Sequence, residues 1–385
     1  MNRVRPLVWL LLVALVGTGC GTQRPRPVVA RASSAVVAFD TLEGVYRQGD
    51  RSLLVTYQGW WVDTTVQSFR QLRPLGGSTF DYGPGWQVPD PAEGRLTFHL
   101  GADGRGQRVT GREAGGISID ATRIATVDRE VRIRSGDVVL AGTLRLPPGP
   151  GPHAAAVLVH GSGPTDRQVE DINALISLSD GLAVLAWDKR GTGASSGVWP
   201  GERATVESIP TYAADAAAVA EFVMRQPGVD ARRVGFLGGS QAGWIIPLAT
   251  AKVPGIHFDV ILSGPTCTTD QQEAYAAFSG GSTELPSVPD AEIDRQVLAV
   301  TTGFDPAPYL RRLTTPTLFV WGAMDRQVPV RLALRFVARY RRATWTVDVL
   351  PGAGHGLDVA PHGLSAEAAA GPGFAGDYLP RLRSW

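Results

Sequence analysis

Two different hydrophobic patterns follow each other along the chain. From residue 39 to residue 127, apolar and polar positions alternate in short runs, such as 52–57, 60–66 and 95–100, which glycine and proline interrupt. A period of two predicts β-strands, and the glycine-rich turn at 101–106 favours a small antiparallel sheet or open barrel. The pattern predicts no helix in this region.

After Asp128 the period changes, and strands alternate with helices. A hairpin over 130–146 precedes short apolar runs at 154–159, 183–187, 234–237, 260–262, 317–321 and 345–350. Several of these runs are apolar throughout, as is typical of parallel strands covered on both faces. With an amphipathic helix at 212–224, the succession predicts an α/β domain over 128–370, with a mostly parallel sheet and helices on both faces. Residues 371–385 are expected to form a C-terminal tail.

The first residues have the pattern of a secretory signal peptide over 1–19. Two arginines precede an apolar run at 7–16, which is too short to span ~30 Å of hydrocarbon as a helix. Cys20 follows small residues and resembles the lipobox cysteine of bacterial lipoproteins, which implies cleavage after residue 19 and acylation of Cys20. We expect a membrane-anchored lipoprotein of the cell envelope, or alternatively an ordinary secreted protein, with a flexible tether over 20–38.

Composition excludes several classes of protein. The 37 basic residues almost cancel the 36 acidic residues, so no strong field exists to hold a nucleic acid. Two cysteines, Cys20 and Cys267, cannot form a disulfide framework or a structural zinc site. The two lysines, Lys189 and Lys252, are interpreted as a result of codon usage rather than chemistry. The charges of the turn at 188–195 are expected to pair structurally.

The most informative segment contains an apolar strand, a small-residue turn around Ser240 and the start of a helix. Such a sharp turn exposes its serine, and only small residues two positions to either side let the backbones pass. Gly238 and Ala242 occupy those positions, which makes Ser240 the candidate nucleophile. Small residues at such a junction also serve plain packing, so Ser240 needs support from other strand ends.

Three other strand ends supply that support. The glycine-rich turn at 160–164 can present backbone N–H groups to a developing oxyanion, and the predicted donors are the amides of Ser162 and Gln241. Asp325 ends another apolar strand and suits the acid that orients a base. His355 lies in a glycine loop after the last strand and is the best candidate for the general base.

The chain order serine, aspartate, histidine is the order of the α/β-hydrolase fold. In these segments the sequence resembles the bacterial serine α/β-hydrolases of the esterase and dienelactone-hydrolase-like group, which are related to prolyl-oligopeptidase catalytic domains. The resemblance covers about residues 128–360 and is carried by residues 160–164, 188–195, 239–244, 263–265, 322–325 and 354–355. It implies the α/β-hydrolase fold with its catalytic machinery. Members often carry a small N-terminal β domain, which residues 39–127 resemble.

The segment at 266–313 is longer than a simple crossover and contains two stretches that look helical. We expect it to form a helical cap over Ser240. Such a cap excludes water and shapes the substrate pockets.

Together these features predict a serine hydrolase that cleaves small-molecule carboxylic esters through an acyl-enzyme intermediate, without a metal or cofactor. The nearest alternative uses the same three residues as a peptidase, an acyltransferase or a thioesterase. A peptidase needs an anchor for the substrate's amine, and the sequence identifies none. A less favoured alternative is a non-catalytic envelope lipoprotein. The sequence gives no indication of oligomeric state.

Overall fold

The computed structural model describes residues 36–385, apart from the side chain of Ala114. The predicted signal peptide, the predicted acylation site Cys20 and the tether up to residue 35 lie outside the described residues. Between residues 36 and 385, no helix has the length and hydropathy that a membrane span requires.

The amino-terminal region forms a nine-stranded antiparallel sheet. Its strands are β1 (Gly44–Gln48), β2 (Arg51–Val55), β3 (Trp60–Asp63), β4 (Ser68–Gln71), β5 (Arg73–Gly76), β6 (Thr79–Tyr82), β7 (Gly94–Leu100), β8 (Gly106–Arg112) and β9 (Ser118–Arg123). They lie in the order β4-β3-β2-β1-β9-β8-β7-β6-β5. Contrary to the helix-free pattern expected here, a four-residue helix α1 (Phe39–Leu42) and a short 3-10 turn before β9 are also present. Both are single turns, too short to show a helical period in the sequence.

The two faces of this sheet have different partners. Because side chains alternate along a strand, Leu53 and Leu54 point to opposite faces. Leu53 packs with Tyr46, Trp61 and other buried residues in a core that belongs to this sheet alone. Leu54 packs in a second core, which continues into the rest of the molecule through residues such as Leu158. The nine-stranded sheet therefore shares one of its two cores with the α/β region.

The remaining strands form an eight-stranded sheet. They are β10 (Val127–Ser135), β11 (Val138–Leu146), β12 (His153–Val159), β13 (Ala183–Trp187), β14 (Val229–Gly239), β15 (Phe258–Leu262), β16 (Thr317–Gly322) and β17 (Trp345–Leu350). The first two pair antiparallel, and β12 to β17 run parallel to one another. Every strand predicted for this region is present, and the order is β10-β11-β13-β12-β14-β15-β16-β17.

Helices cover both faces of the eight-stranded sheet. The described residues contain α2 (Asp171–Ser179), α3 (Ser208–Met224), α4 (Ala242–Lys252), α5 (Thr269–Ser279), α6 (Asp290–Ala299), α7 (Ala307–Leu310), α8 (Val330–Tyr340), α9 (Ser365–Ala370) and α10 (Tyr378–Ser384). The cores assign α3, α4 and α8 to one face and α2 and α10 to the other. This layered arrangement and the strand order are those of the α/β-hydrolase fold.

The strand order determines which loops meet. Strand β12 lies between β13 and β14, so its last residue, Val159, pairs with Gly238 near the end of β14. The carboxyl ends of parallel strands share one edge of a sheet, where ligands of open α/β folds bind. The turn after β12 and the turn after β14 are therefore neighbours at that edge.

The end of the chain corrects one expectation. Residues 371–385 do not form a tail, because Tyr378 and Leu379 are buried in the core that the two sheets share. Phe374 packs edge-on against Phe69 of β4 with ring centroids 4.4 Å apart. The apolar side chains of this segment pack in the core between the two sheets. Because they are few, the sequence does not indicate that they belong to a core.

Candidate active site

Ser240 occupies a sharp turn between β14 and α4. Its backbone has φ of 55°, a left-handed conformation that non-glycine residues adopt at a cost of about 1–3 kcal/mol. Two hydrogen bonds hold this conformation: Ser240 N donates to Leu262 O at 2.8 Å, and Gly243 N donates to Ser240 O at 2.8 Å. The surrounding backbone thus keeps Ser240 in the left-handed conformation of a sharp strand-to-helix turn.

Gly238 shows why small residues flank this turn. A Cβ atom at Gly238 would overlap the carbonyl oxygen of Val159 and lie 2.7 Å from the Cβ of Ala242. Any larger residue at position 238 would force β12 and β14 apart. The small side chains at positions 238 and 242 are therefore a packing requirement of the turn.

Asp325 and His355 are joined at the same edge of the sheet. Their Oδ2 and Nδ1 atoms are 2.8 Å apart, and Asp325 is 3% exposed. The other carboxylate oxygen, Oδ1, accepts the backbone N–H groups of Gln327 at 2.7 Å and Val328 at 2.9 Å. Since Asp325 accepts from Nδ1–H, the Nε2 atom of His355 is left as the basic nitrogen.

The surroundings of His355 raise its pKa above the usual range. Burial has the largest effect and lowers the pKa, but the charge and hydrogen bond of Asp325, with a further contribution from Asp358, outweigh it. Both carboxylates favour the imidazolium form. The two carboxylates would therefore stabilise the imidazolium that forms when His355 accepts a proton.

Ser240 and His355 are fastened to consecutive residues of one strand end. Ser240 N–H is bonded to Leu262, and Ser263 Oγ donates to the backbone oxygen of His355 at 2.7 Å. Ser263 itself has φ of 48°. No hydrogen bond between Ser240 Oγ and the His355 ring occurs among residues 36–385. Catalytic hydrogen bonds are often long before a substrate binds. The attachment of Ser240 to Leu262 and of His355 to Ser263 is therefore the geometry that relates the two residues here.

The glycine turn after β12 lies beside Ser240. A Cβ atom placed on Gly161 would be 3.7 Å from Ser240 Cβ and 3.7 Å from Gly239 O. Within the described part of the chain, the amides of Ser162 and Gln241 donate no hydrogen bond to another protein group. Two free N–H donors are therefore available close to Ser240.

His160, at the start of this turn, is a packing residue. It is 1% exposed and meets Trp187 edge-on at 4.7 Å. Burial, and then the charge of Lys189, lower the pKa of His160 to about 3. A histidine that stays neutral and enclosed cannot exchange protons with a substrate.

The turn at 188–195 contains a residue whose surroundings the sequence did not reveal. Asp188 and Arg190 pair structurally, as expected, with Arg167 and Asp215. Lys189 instead donates from Nζ to the backbone oxygens of Gly161 at 2.5 Å and Gly163 at 2.9 Å, and to Gln241 Oε1 at 3.1 Å. The small number of lysines in the sequence did not indicate that Lys189 binds these backbone oxygens.

A cavity of about 250 Å³ opens beside His355. Its wall includes Trp86 from the nine-stranded region, Ser282 after α5, and Asp358. Ser282 Oγ is buried and has no hydrogen-bond partner among residues 36–385. Asp358 follows His355 closely in sequence, but nothing in the sequence separates it from other loop acids. The cavity therefore has polar groups in a largely apolar wall, and only the fold reveals it.

Comparison with known proteins gives a family match for part of the chain. Residues 150–288 match the sequence model of the family described as serine aminopeptidase, S33. The matched stretch contains Ser162 and Ser240 and ends before Asp325 and His355. It covers the β12 turn, the β14 turn and the first helix of the 266–313 segment.

Two curated relatives illustrate the range of similar sequences. An acylamino-acid-releasing enzyme of Oryza sativa is 26% identical over 153 residues, which are 36% of this chain and 19% of that enzyme. The chain thus spans about a fifth of that relative's length. A protein of Mycobacterium tuberculosis described as uncharacterized is 28% identical over 239 residues, which are 61% of this chain and 75% of the relative.

Two solved structures illustrate the proteins with a similar chain path. An esterase of Pyrococcus furiosus has a TM-score of 0.47 at 17% identity, covering 67% of this chain and 91% of that one. The protein Est1E of Butyrivibrio proteoclasticus with bound ferulic acid has a TM-score of 0.43 at 19% identity, covering 58% and 90%. The fold assignment rests on the strand order of the eight-stranded sheet, and the family match covers residues 150–288 within that region.

Proposed function

We propose that this protein is a serine hydrolase that cleaves carboxylic esters of small molecules. Ser240 is the nucleophile, His355 the general base and Asp325 the acid that orients the base. The observation that carries the proposal is the 2.8 Å hydrogen bond between Asp325 and His355, at the edge of the sheet where Ser240 is held at φ of 55°. Three groups with matching roles at one strand edge favour acyl transfer.

In the first half of the reaction, Ser240 Oγ attacks the ester carbonyl carbon while its proton passes to His355 Nε2. The carbonyl π electrons move to the oxygen, which becomes an oxyanion in a tetrahedral intermediate. The intermediate collapses, the carbon–oxygen bond to the alcohol breaks, and His355 returns the proton to the leaving alkoxide. An acyl-enzyme and a free alcohol result.

In the second half, water replaces the alcohol. His355 Nε2 takes a proton from water while the water oxygen attacks the acyl carbon. The bond from the acyl carbon to Ser240 Oγ then breaks, the proton passes from His355 to Ser240 Oγ, and the carboxylic acid leaves. Asp325 accepts a hydrogen bond from His355 Nδ1 and stabilises the imidazolium that forms twice.

We assign the oxyanion to the amides of Ser162 and Gln241. Both are free within the described residues, and a Cβ atom added at Gly161 would lie 3.7 Å from Ser240 Cβ. Each donor to a developing oxyanion contributes about 3 kcal/mol, or at least about 100-fold in turnover. Both donors are backbone groups, so their placement depends on the turns that carry them.

The segment at 266–313 is proposed as the cap of this site. Helix α5 is tied to the loop of Asp325, since Tyr275 Oη donates to Asp325 O at 2.9 Å and Gln272 Nε2 donates to Gln327 O at 2.7 Å. These contacts support a cap that packs against the loop of Asp325. Such a position lets the cap restrict water near the acyl group.

Loss of Ser240 Oγ tests the proposed function. Ser240→Ala should lower kcat for short-chain p-nitrophenyl esters by about 10⁶-fold, because no other group supplies the nucleophile. Ser118→Ala, at an exposed position of β9, is the matched control and should keep full turnover. Undiminished turnover by Ser240→Ala would refute the proposal, and failure of the unaltered protein to react with a fluorophosphonate would favour a non-catalytic protein.

A second candidate function, hydrolysis of substrates that bear an amine, is favoured by Asp358. This carboxylate lines the cavity beside His355 and has no ion-pair partner among residues 36–385. Burial raises its pKa, which an ammonium ion in the cavity would counteract. The Trp86 ring in the same wall offers an aromatic surface for a cation. The same triad would then act as an aminopeptidase.

Turnover of an aminoacyl p-nitroanilide against a p-nitrophenyl ester distinguishes the two functions. If the amine is anchored by Asp358, Asp358→Asn should raise KM for the anilide and leave KM for the ester unchanged. An ester specialist should turn over only the ester, in both forms of the protein.

Membrane attachment through a lipid on Cys20 is part of the proposed function. It rests on the sequence pattern of residues 1–20. Mass spectrometry of the protein from membranes should find an acylated Cys20 at the new N-terminus, and Cys20→Ser should release the protein from the membrane fraction. An unmodified chain cut elsewhere would favour the secreted alternative.

A further inference from the structure

Lys189 holds an unusual place for a charged residue. It is 1% exposed, and its three hydrogen bonds use all three N–H donors of an ammonium group. None of the acceptors is a carboxylate. The Tyr212 ring lies 5.0 Å from Nζ on another side. A buried ammonium without a paired acid has a large desolvation cost, so the fold retains it against a stability penalty.

The acceptors of Lys189 belong to the two segments that carry the proposed oxyanion donors. Gly161 and Gly163 flank Ser162 in the turn after β12, and Gln241 follows Ser240. These segments are far apart in sequence and meet only because β12 and β14 are neighbours. One ammonium group therefore bridges both halves of the proposed oxyanion site.

The bond to Gly161 has a directional consequence. The carbonyl of Gly161 and the N–H of Ser162 belong to one peptide unit, which is trans. In a planar trans peptide, C=O and N–H point in opposite directions. Because Lys189 binds the Gly161 carbonyl at 2.5 Å, the Ser162 N–H is turned away from Lys189 and left free. The ammonium charge also polarises this peptide and makes its N–H a stronger donor.

We propose that Lys189 is a positioning residue that holds the turn after β12 and the turn after β14 together, so that the Ser162 and Gln241 amides converge on the oxyanion. This inference rests on the proposed function. Lys189 touches no reacting atom and acts through the peptide groups it binds. Its contribution appears when negative charge develops on the carbonyl oxygen, which makes it specific to the transition state.

The ionisation of Lys189 is compatible with this role. Burial lowers its pKa to about 8, and the charges of Glu170 and Glu202 counteract part of that effect. Below that pH the ammonium form, with three donors, prevails. The geometry of the three acceptors fits this form, since a neutral amine has only two N–H donors.

Lys189→Met tests the proposal because methionine fills a similar volume without a charge or a donor. We expect kcat for p-nitrophenyl butyrate to fall about 100-fold, as for loss of one oxyanion donor, with KM changed less than about threefold. Affinity for a trifluoromethyl ketone, which forms an oxyanion on Ser240, should fall by the same factor. Lys252→Met, which alters the exposed lysine at the end of α4, is the matched control and should keep full activity.

Gln241→Met gives a second, milder variant for the case that Lys189→Met does not fold. It removes the side-chain oxygen that accepts from Lys189 and leaves the backbone N–H of residue 241 in place. We therefore expect kcat to fall about tenfold with KM unchanged. The two substitutions combined should cost less than the product of their separate effects, because both act on one contact. An effect confined to KM, or unchanged kcat and ketone affinity in a folded variant, would overturn the proposal. Activity of the unaltered protein on esters tests the proposed function separately.

Discussion

The two halves of the candidate site are built in different ways. One half, the base arm, consists of Asp325 and His355, whose side chains bond each other directly and have the proposed chemical roles. The other half, the oxyanion arm, consists of residues 161–163 and Gln241, which bind Lys189 and whose proposed contribution is made by backbone amides. The base arm is fixed by an ion-pair geometry, whereas the oxyanion arm is fixed by a buried lysine behind it. A site that needs backbone donors therefore needs side chains that act on the backbone.

Loss of the base arm should have the largest effect. Asp325→Asn keeps the size of the side chain, but its amide no longer provides the charge that stabilises the imidazolium, and it favours the wrong tautomer. We expect kcat for p-nitrophenyl esters to fall about 10⁴-fold with little change in the melting temperature. A loss of less than tenfold would show that Asp325 does not orient the base.

Independence of the two arms can be tested with a double variant. Lys189→Met acts on the oxyanion arm, and Ser263→Ala acts on the base arm by removing the 2.7 Å bond to the His355 backbone. If the arms act separately, their effects should multiply to about 1,000-fold in kcat. A combined loss equal to that of Lys189→Met alone would mean that one network supports both arms.

Ser263→Ala alone should have a smaller effect. Without the hydroxyl, the His355 loop loses its bond to the end of β15, and the base spends less time near Ser240. We expect about a tenfold decrease in kcat and an unchanged KM, measured by steady-state kinetics on the same ester. Thr250→Ala, which removes a hydroxyl bonded to Asp259 away from the site, serves as the control. Equal kinetics for Ser263→Ala and the unaltered protein would contradict this role of Ser263.

The smallest effect is expected on the pH profile. The pKa of His355 is raised by Asp325 and by Asp358 against the effect of burial, and the base must be neutral to accept a proton. Turnover should therefore fall as the pH drops through this raised pKa. Asp358→Asn removes one raising charge, so the acidic limb of kcat/KM should move to lower pH while the plateau stays. A shift to higher pH, or no shift, would contradict the claim that the charge of Asp358 raises the pKa of His355.

The residues of the base arm and the strands themselves could be predicted from the sequence because both leave local signals. Continuous apolar runs mark the parallel strands, and Asp325 and His355 follow such runs directly. Gly238 and Ala242 likewise mark the Ser240 turn. Their expected roles remain predictions, but the structure brings Asp325 and His355 together and places Gly161 beside Ser240.

The support of the oxyanion arm could not be predicted in this way. Lys189 is separated from Gly161 by 28 residues and from Gln241 by 52, and only the placement of β12 between β13 and β14 joins them. The packing of Leu379 depends in the same way on a long-range partner, the nine-stranded sheet. Local patterns contain information on strands and turns, whereas these contacts depend on topology.

Peptide mapping after reaction with a fluorophosphonate tests the central claim most directly. The account predicts one covalent adduct per chain, located on Ser240 by tandem mass spectrometry, absent from Ser240→Ala and strongly slowed in Asp325→Asn. An adduct on a different residue, or labelling of Ser240→Ala at the rate of the unaltered protein, would contradict the account.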